Sequence, residues 1–190
     1  MNIRPAKRTG NVLVESSPAD DLLLERSERF GAEDKTAFKL KNILVPIDFS
    51  TCSKKALQYA IPFARQFNAT LTLVHVVQSN YFPGGEFSGG YDFAPAEKEL
   101  RESAGQQLAE LVLEEVDEFV PVKTAVRSGS PVQEIVTAAR ELESDLILIS
   151  THGRTGLKHL LLGSVAENIV RLAPCPVLVV REREREFVAN

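Results

Sequence analysis

From Lys41 onward the chain alternates two kinds of segment, and this alternation constrains its fold more than any other feature. Short apolar runs rich in branched residues occupy 42–47, 70–77, 122–127, 145–150 and 176–181, and have the length of strands. Between them lie segments that read as helices. Over 53–67, Ala56, Leu57, Ala60, Ile61, Ala64 and Phe67 recur at helical spacing. Further helices are expected at 95–118, at 132–142, and at 165–171, opened by Ser164. Pro62 should kink the first helix or remove one of its hydrogen bonds. Pro95 falls in a first turn, where no N–H is missed. Strands separated by helices of this length imply βαβ units with right-handed crossovers and a parallel sheet. The fold class is therefore α/β, with strand order left open by the pattern itself.

The stretch from Ser150 to Ser164 joins the fourth of these strands to the last helix. It carries Gly153, Gly156 and Gly163 and ends in a hydroxyl residue at the helix start. Glycine lets backbone approach a ligand closely, and the N–H groups of a helix N-terminus favour an anion. A phosphate-binding loop is the leading reading. A tight turn that needs glycine for its dihedrals and binds nothing is the plainer one.

These residues resemble the universal stress protein family, whose signature Gly-x2-Gly-x9-Gly-(Ser/Thr) falls on Ser150, Gly153, Gly163 and Ser164, with Ser150 replacing the first glycine. The runs Asn42-Ile43-Leu44-Val45-Pro46-Ile47-Asp48-Phe49-Ser50, Leu73-Val74-His75-Val76-Val77 and Ala173-Pro174-Cys175-Pro176-Val177-Leu178-Val179-Val180 are also similar to the family, so the resemblance spans about 41–181. It implies an open five-stranded parallel sheet of order 3-2-1-4-5 with helices on both faces, Rossmann-like. In that order the first and fourth strands are neighbours from which the chain winds in opposite senses, and ligands bind at such switch points.

The resemblance further implies an adenine nucleotide, ATP, in that crevice. Asp48 would contact the adenosine part, while Pro46 and Val76 would pack against adenine. Gly153, Gly163, Ser164 and Val165 would cradle phosphates through backbone amides, with the Ser164 hydroxyl assisting and Arg154 adding charge. Ser150 would crowd the ribose or donate a compensating hydrogen bond. Read without the family, the plainer reading of Asp48 is a cap or turn residue for the following helix, with Ser50 or Ser53 sharing the role, and Pro46 and Val76 are strand core. Ser164 is then an N-cap. Magnesium could arrive with the phosphates, keeping water and phosphate oxygens as ligands.

The three histidines form no site: His75 lies in a strand, His152 in the loop, and His159 beside Lys158. No group has metal-ligand spacing, and no nucleophile and base are paired. The chain reads as a binding protein, with slow ATP hydrolysis or autophosphorylation as the most it could do. Two distant cysteines, Cys52 and Cys175, read as free thiols.

A net charge of −4 and the lack of a basic stripe argue against nucleic acid. No run approaches the roughly 18 apolar residues of a membrane span, and the first residues carry no apolar signal core. A cytoplasmic location follows. Residues 1–40 read as a flexible extension, 41–181 as the domain and 182–190 as a charged tail. Tyr81, Phe82, Phe87, Tyr91 and Phe93 concentrate in the connector 78–94, as a lid, a partner patch or a loop folded onto the domain. The resemblance implies a homodimer paired through the last strand, and the protein partner is unknown. Three functions compete: a nucleotide-binding regulator, a scaffold of the same fold that binds no nucleotide and works through protein contacts, and, distantly, an adenylating or electron-transfer enzyme.

Overall fold

Three features set where a ligand can sit: which strands are neighbours, which faces the helices cover, and which end of the sheet stays open. The computed structural model describes residues 2–5, 12–15, 38–78, 94–151, 153 and 163–182. The chain divides into two units, Met1–Phe38 and Lys39–Asn190.

In the first unit, where a flexible extension was expected, β1 (Asn2–Pro5) pairs antiparallel with β2 (Val12–Glu15), placing Ile3 opposite Val14 and Pro5 opposite Val12. The run Val12-Leu13-Val14 has the branching that suits a strand. Pro5, with no N–H to give, stands at the end of its strand.

The second unit runs β3 (Asn42–Pro46), α1 (Thr51–Phe67), β4 (Thr70–Val77), α2 (Ala94–Glu115), β5 (Val122–Ser128), α3 (Pro131–Glu141), β6 (Leu146–Ser150), α4 (Ser164–Leu172) and β7 (Val177–Val180). Its sheet has the order β5-β4-β3-β6-β7 with every pairing parallel. This is the 3-2-1-4-5 order, counted over these five strands. Helix α1 begins two residues earlier than expected because Ser50 caps it, its Oγ accepting from Ser53 N at 3.2 Å. Pro62 is exposed within it and the helix continues to Phe67, so the proline removes one donor, the one toward the carbonyl of exposed Gln58, without ending the helix. The helix stops at Asn68, which adopts the left-handed conformation with φ 52°.

Successive strand residues point to opposite faces, and each face feeds its own core. Ile43, Val45, Leu71, Leu73 and Leu148 pack with Ala56, Leu57 and Ala60 of α1 and Leu108 and Leu111 of α2. Leu44, Val74, Ile147 and Ile149 pack with Ile135, Ala138 and Ala139 of α3 and Ala166 and Ile169 of α4. Two helices thus cover each face, which is why the strands read as unbroken apolar runs. Burying each of the valine, leucine and isoleucine side chains among them stabilises the fold by about 1.5–3 kcal/mol.

The amino ends of the strands are laced together. Asp145 Oδ2 accepts from Lys41 N at 2.7 Å and Asn42 N at 2.9 Å, and Asp145 N donates to Asn42 O at 2.8 Å. Thr70 N donates to Lys41 O at 2.8 Å, and Ile147 N to Pro176 O at 3.0 Å. Asp145, read as the first residue of a strand, is instead the clasp below it. Among the described residues, no helix is long and apolar enough to cross a membrane.

Candidate functional site

At the opposite, carboxyl ends of β3 and β6 the sheet opens into a crevice of about 1140 Å³. Ligand pockets commonly fall near this size or below it, down to about 300 Å³. Its lining brings together Pro46, Asp48, Val76, Ser150, Gly153, Gly163, Ser164 and Val165. These are the residues singled out in the sequence, apart from Arg154, which lies outside the described residues.

Asp48 follows β3 directly. Its Oδ1 accepts from Ser50 Oγ at 2.6 Å and Ser50 N at 3.0 Å, while its own N–H donates to Ser53 Oγ at 3.4 Å. Phe49, between Asp48 and Ser50, takes a positive φ of 65°. The capping role and the crevice position therefore coincide in this turn: Ser50 caps the helix and also fixes one carboxylate oxygen of Asp48. The second oxygen lies against the β6–α4 connection. A Cβ on Gly153 would stand 2.5 Å from Asp48 Oδ2, so only glycine fits there without displacing the carboxylate.

The β6–α4 connection is closed at its base. Thr151 N donates to Val180 O at 2.9 Å, and Gly163 N donates to Thr151 O at 2.7 Å. This corrects two expectations. The Gly163 amide is spent on Thr151 and is not part of an anion cradle. Gly163, not Ser164, is the N-cap, with φ −71° and ψ 151° and no side chain to cap the helix. Ser164 moves to the first helical position, and its carbonyl accepts from Asn168 Nδ2 at 2.8 Å. The first-turn amides of Ser164, Val165 and Ala166, all three in the crevice lining, have by helix geometry no intrahelical acceptor. Among the described lining residues Asp48 is the lone acid and neither lysine nor arginine occurs. A helix N-terminus favours negative charge in general.

Ser150, at the end of β6, is 8% exposed, and Thr151 is 3% exposed. Pro46 and Val76, at the ends of adjacent strands, give the crevice apolar wall, and both are partly buried. The lining also includes residues that sequence reasoning missed: Phe49 and Thr151, Pro131 and Ile135 of α3, and Leu100, Ser103 and Gln107 of α2. The α2 trio recurs at spacings of three and four, a signal visible only once that face of the helix is known to meet the crevice. His75 sits at the rim, its Nδ1 donating to Ile47 O at 2.7 Å.

Burial, then the nearby carboxylates of Glu182 and Asp48, pushes the Cys52 thiol up from its ordinary range, and burial followed by Asp145 does the same to Cys175. Among the described residues, no three His, Cys, Asp or Glu side chains gather as metal ligands. His152, Gly156, Lys158, His159, the aromatic residues 81–93 and the tail 183–190 lie outside the described residues.

Residues 39–181 match the model of the universal stress protein family. The chain belongs to this family. A universal stress protein of Methanocaldococcus jannaschii is 37% identical over 147 residues, covering 77% of this chain and 85% of the relative. The universal stress protein YxiE of Bacillus subtilis is 31% identical over 144 residues, covering 73% of this chain and 97% of its own length. Among solved structures, the protein designated MJ0577 superposes with a TM-score of 0.64 at 31% identity, covering 78% of this chain and all of that one. Universal stress protein UspA from Lactobacillus plantarum superposes with a TM-score of 0.62 at 27% identity, over 76% of this chain and all of that one. This universal stress protein therefore carries the family's fold, with its crevice at the switch point between β3 and β6.

Proposed function

We propose that this universal stress protein is an ATP-binding regulatory protein of the stress response, working as a homodimer in the cytoplasm. The observation that carries the reading is the convergence, in one crevice, of three features. These are a carboxylate acceptor, a glycine that leaves no room for a side chain, and a helix N-terminus without a side-chain cap. The Asp48 carboxylate suits the hydroxyl donors of a ribose. The amides of Ser164, Val165 and Ala166 suit phosphate oxygens, and Pro46 and Val76 suit the flat face of adenine. Magnesium carried by ATP would be held by phosphate oxygens and water. The reading is one of binding, with hydrolysis or phosphorylation of Ser164 slow at most.

The dimer reading is supported by the last strand. β7 is an outer strand of the sheet, its Val177, Leu178 and Val179 are only half-buried, and Val170 and Leu172 of α4 are 49% and 53% exposed. An apolar outer strand of this kind is a template for pairing with another chain.

Calorimetric titration of the purified protein with ATP tests the nucleotide reading. Binding that is lost in Gly153→Val and weakened in Asp48→Ala is expected. Unchanged affinity in both variants would move the ligand elsewhere. The buried Ser150, standing where the family signature has glycine, favours the scaffold reading as the second choice. A protein purified without nucleotide and showing no thermal shift with ATP would favour that alternative.

A further inference from the structure

His75 lies outside the ligand contacts proposed above, yet it touches the chain on both sides of Asp48. Its Nδ1 stands 2.7 Å from Ile47 O, and since a carbonyl can only accept, Nδ1 carries the proton. Its ring packs against Phe49, with centroids 4.6 Å apart and planes at 34°. Asp48 is the single residue between these two contacts. The same segment is held from the other direction by Ile47 N, which donates to Val74 O at 2.8 Å. Phe49 needs such support, because its φ of 65° is an uncommon conformation for a bulky residue.

We infer that His75 is a positioning residue that fixes the Asp48 carboxylate for hydroxyl recognition, acting through Ile47 O and the Phe49 ring. This inference rests on the reading of Asp48 as the ribose contact. Holding an acceptor in place before the ligand arrives removes an ordering cost from binding. Without the bracket, the turn can relax toward a commoner φ at Phe49, and the carboxylate swings with it. The bond from Ser50 N to Asp48 Oδ1, 3.0 Å long, then loosens before the fold does.

The test uses the full chain with His75→Phe, which keeps a ring but removes the donor, and His75→Asn, whose Nδ2 lies as many bonds from the backbone as Nδ1. Amide hydrogen exchange is read at Ser50 in the ligand-free protein, with Lys54 N, which donates to Ser50 O at 3.0 Å, as the internal reference. In His75→Phe, Ser50 exchange should rise about fivefold relative to Lys54, the size expected for one lost hydrogen bond. His75→Asn should recover most of the difference. ATP affinity should fall about fivefold in His75→Phe, and no further when the change is made in Asp48→Ala. Ser50 exchange that keeps pace with Lys54 would overturn the inference, and so would an affinity loss that persists in the Asp48→Ala background. Should the parent protein bind no ATP, the nucleotide reading fails, while the exchange at Ser50 still decides whether His75 positions Asp48.

Discussion

The two ends of the five-stranded sheet use the same side chain for different purposes. At the amino end, Asp145 reaches across more than a hundred residues of sequence to accept from Lys41 N and Asn42 N, tying β6 to β3. At the carboxyl end, Asp48 accepts from Ser50, two residues away, and its second oxygen lies in the crevice against Gly153. One carboxylate joins distant parts of the chain. The other is held by its own turn at the crevice, where the proposed reading has it meet a ligand. Parallel sheets favour this division, because the chain leaves every strand at the carboxyl end, where adjacent strands sending it to opposite faces leave a gap. On the proposed reading, the closed end serves stability and the open end recognition. If that division is real, substitutions at the two ends should separate cleanly into effects on unfolding and effects on binding.

The largest expected effect is at the open end. In Gly153→Val the new Cβ would stand 2.5 Å from Asp48 Oδ2, so either the carboxylate or the β6–α4 connection must move. ATP affinity should fall by about a hundredfold or more, on the order of 3 kcal/mol, as expected when a partly buried charged acceptor loses its geometry. Calorimetry checks this, and a full-strength titration would show that Gly153 does not set the crevice.

Next comes Asp145→Ala, which leaves the Lys41 and Asn42 amides without their acceptor. A loss of about 2 kcal/mol in urea unfolding is expected, discounted from the usual range for two charge-assisted bonds because one of them is exposed. ATP affinity should stay within about twofold, since changes at distant sites rarely couple. Asp48→Ala should do the reverse. Its ATP affinity should fall about tenfold, the size of one charge-assisted hydrogen bond, with the unfolding midpoint shifted by less than in Asp145→Ala. A reversal of this pattern, with Asp48 controlling stability and Asp145 controlling binding, would end the comparison between the two ends.

The open end was more legible in the sequence than the closed one, for a physical reason. Asp48, Gly153 and the helix start at 163–164 announce themselves locally, through a carboxylate after an apolar run and through glycines before a helix. The five strands were legible because burial on both faces makes them continuous apolar runs. Asp145 looked like one more strand residue, because its partners lie far away in sequence and nothing local marks an acceptor for two remote amides. The cap of α4 was misplaced by one residue for a related reason. Whether Gly163 or Ser164 turns the chain depends on the bond from Gly163 N to Thr151 O, which spans the whole connection. The α2 wall of the crevice escaped notice because Leu100, Ser103 and Gln107 carry no chemistry that distinguishes them from any solvated helix face. Strand order came only with the family resemblance, since the periodicity of a strand does not say which strand lies beside it.

The smallest effect is expected where the division blurs. Ser50 belongs to the binding end, yet it caps α1 through Ser53 N and also holds Asp48 Oδ1. Ser50→Ala should therefore do a little of both. Loss of the cap should cost about 1 kcal/mol, which in a domain of this size lowers the thermal midpoint by about 2–4 °C. ATP affinity should fall by only about twofold to threefold, because His75 and Val74 still hold the segment around Asp48. Ser50→Gly separates the two contributions. Glycine is itself a tolerable N-cap, so stability should return to within a few tenths of a kcal/mol of the parent, while the hydroxyl that bonds Asp48 stays absent. Affinity that remains low in the glycine variant would place the Ser50 hydroxyl with recognition. Affinity that recovers along with stability would mean that the helix start, and not the hydroxyl, orients the carboxylate.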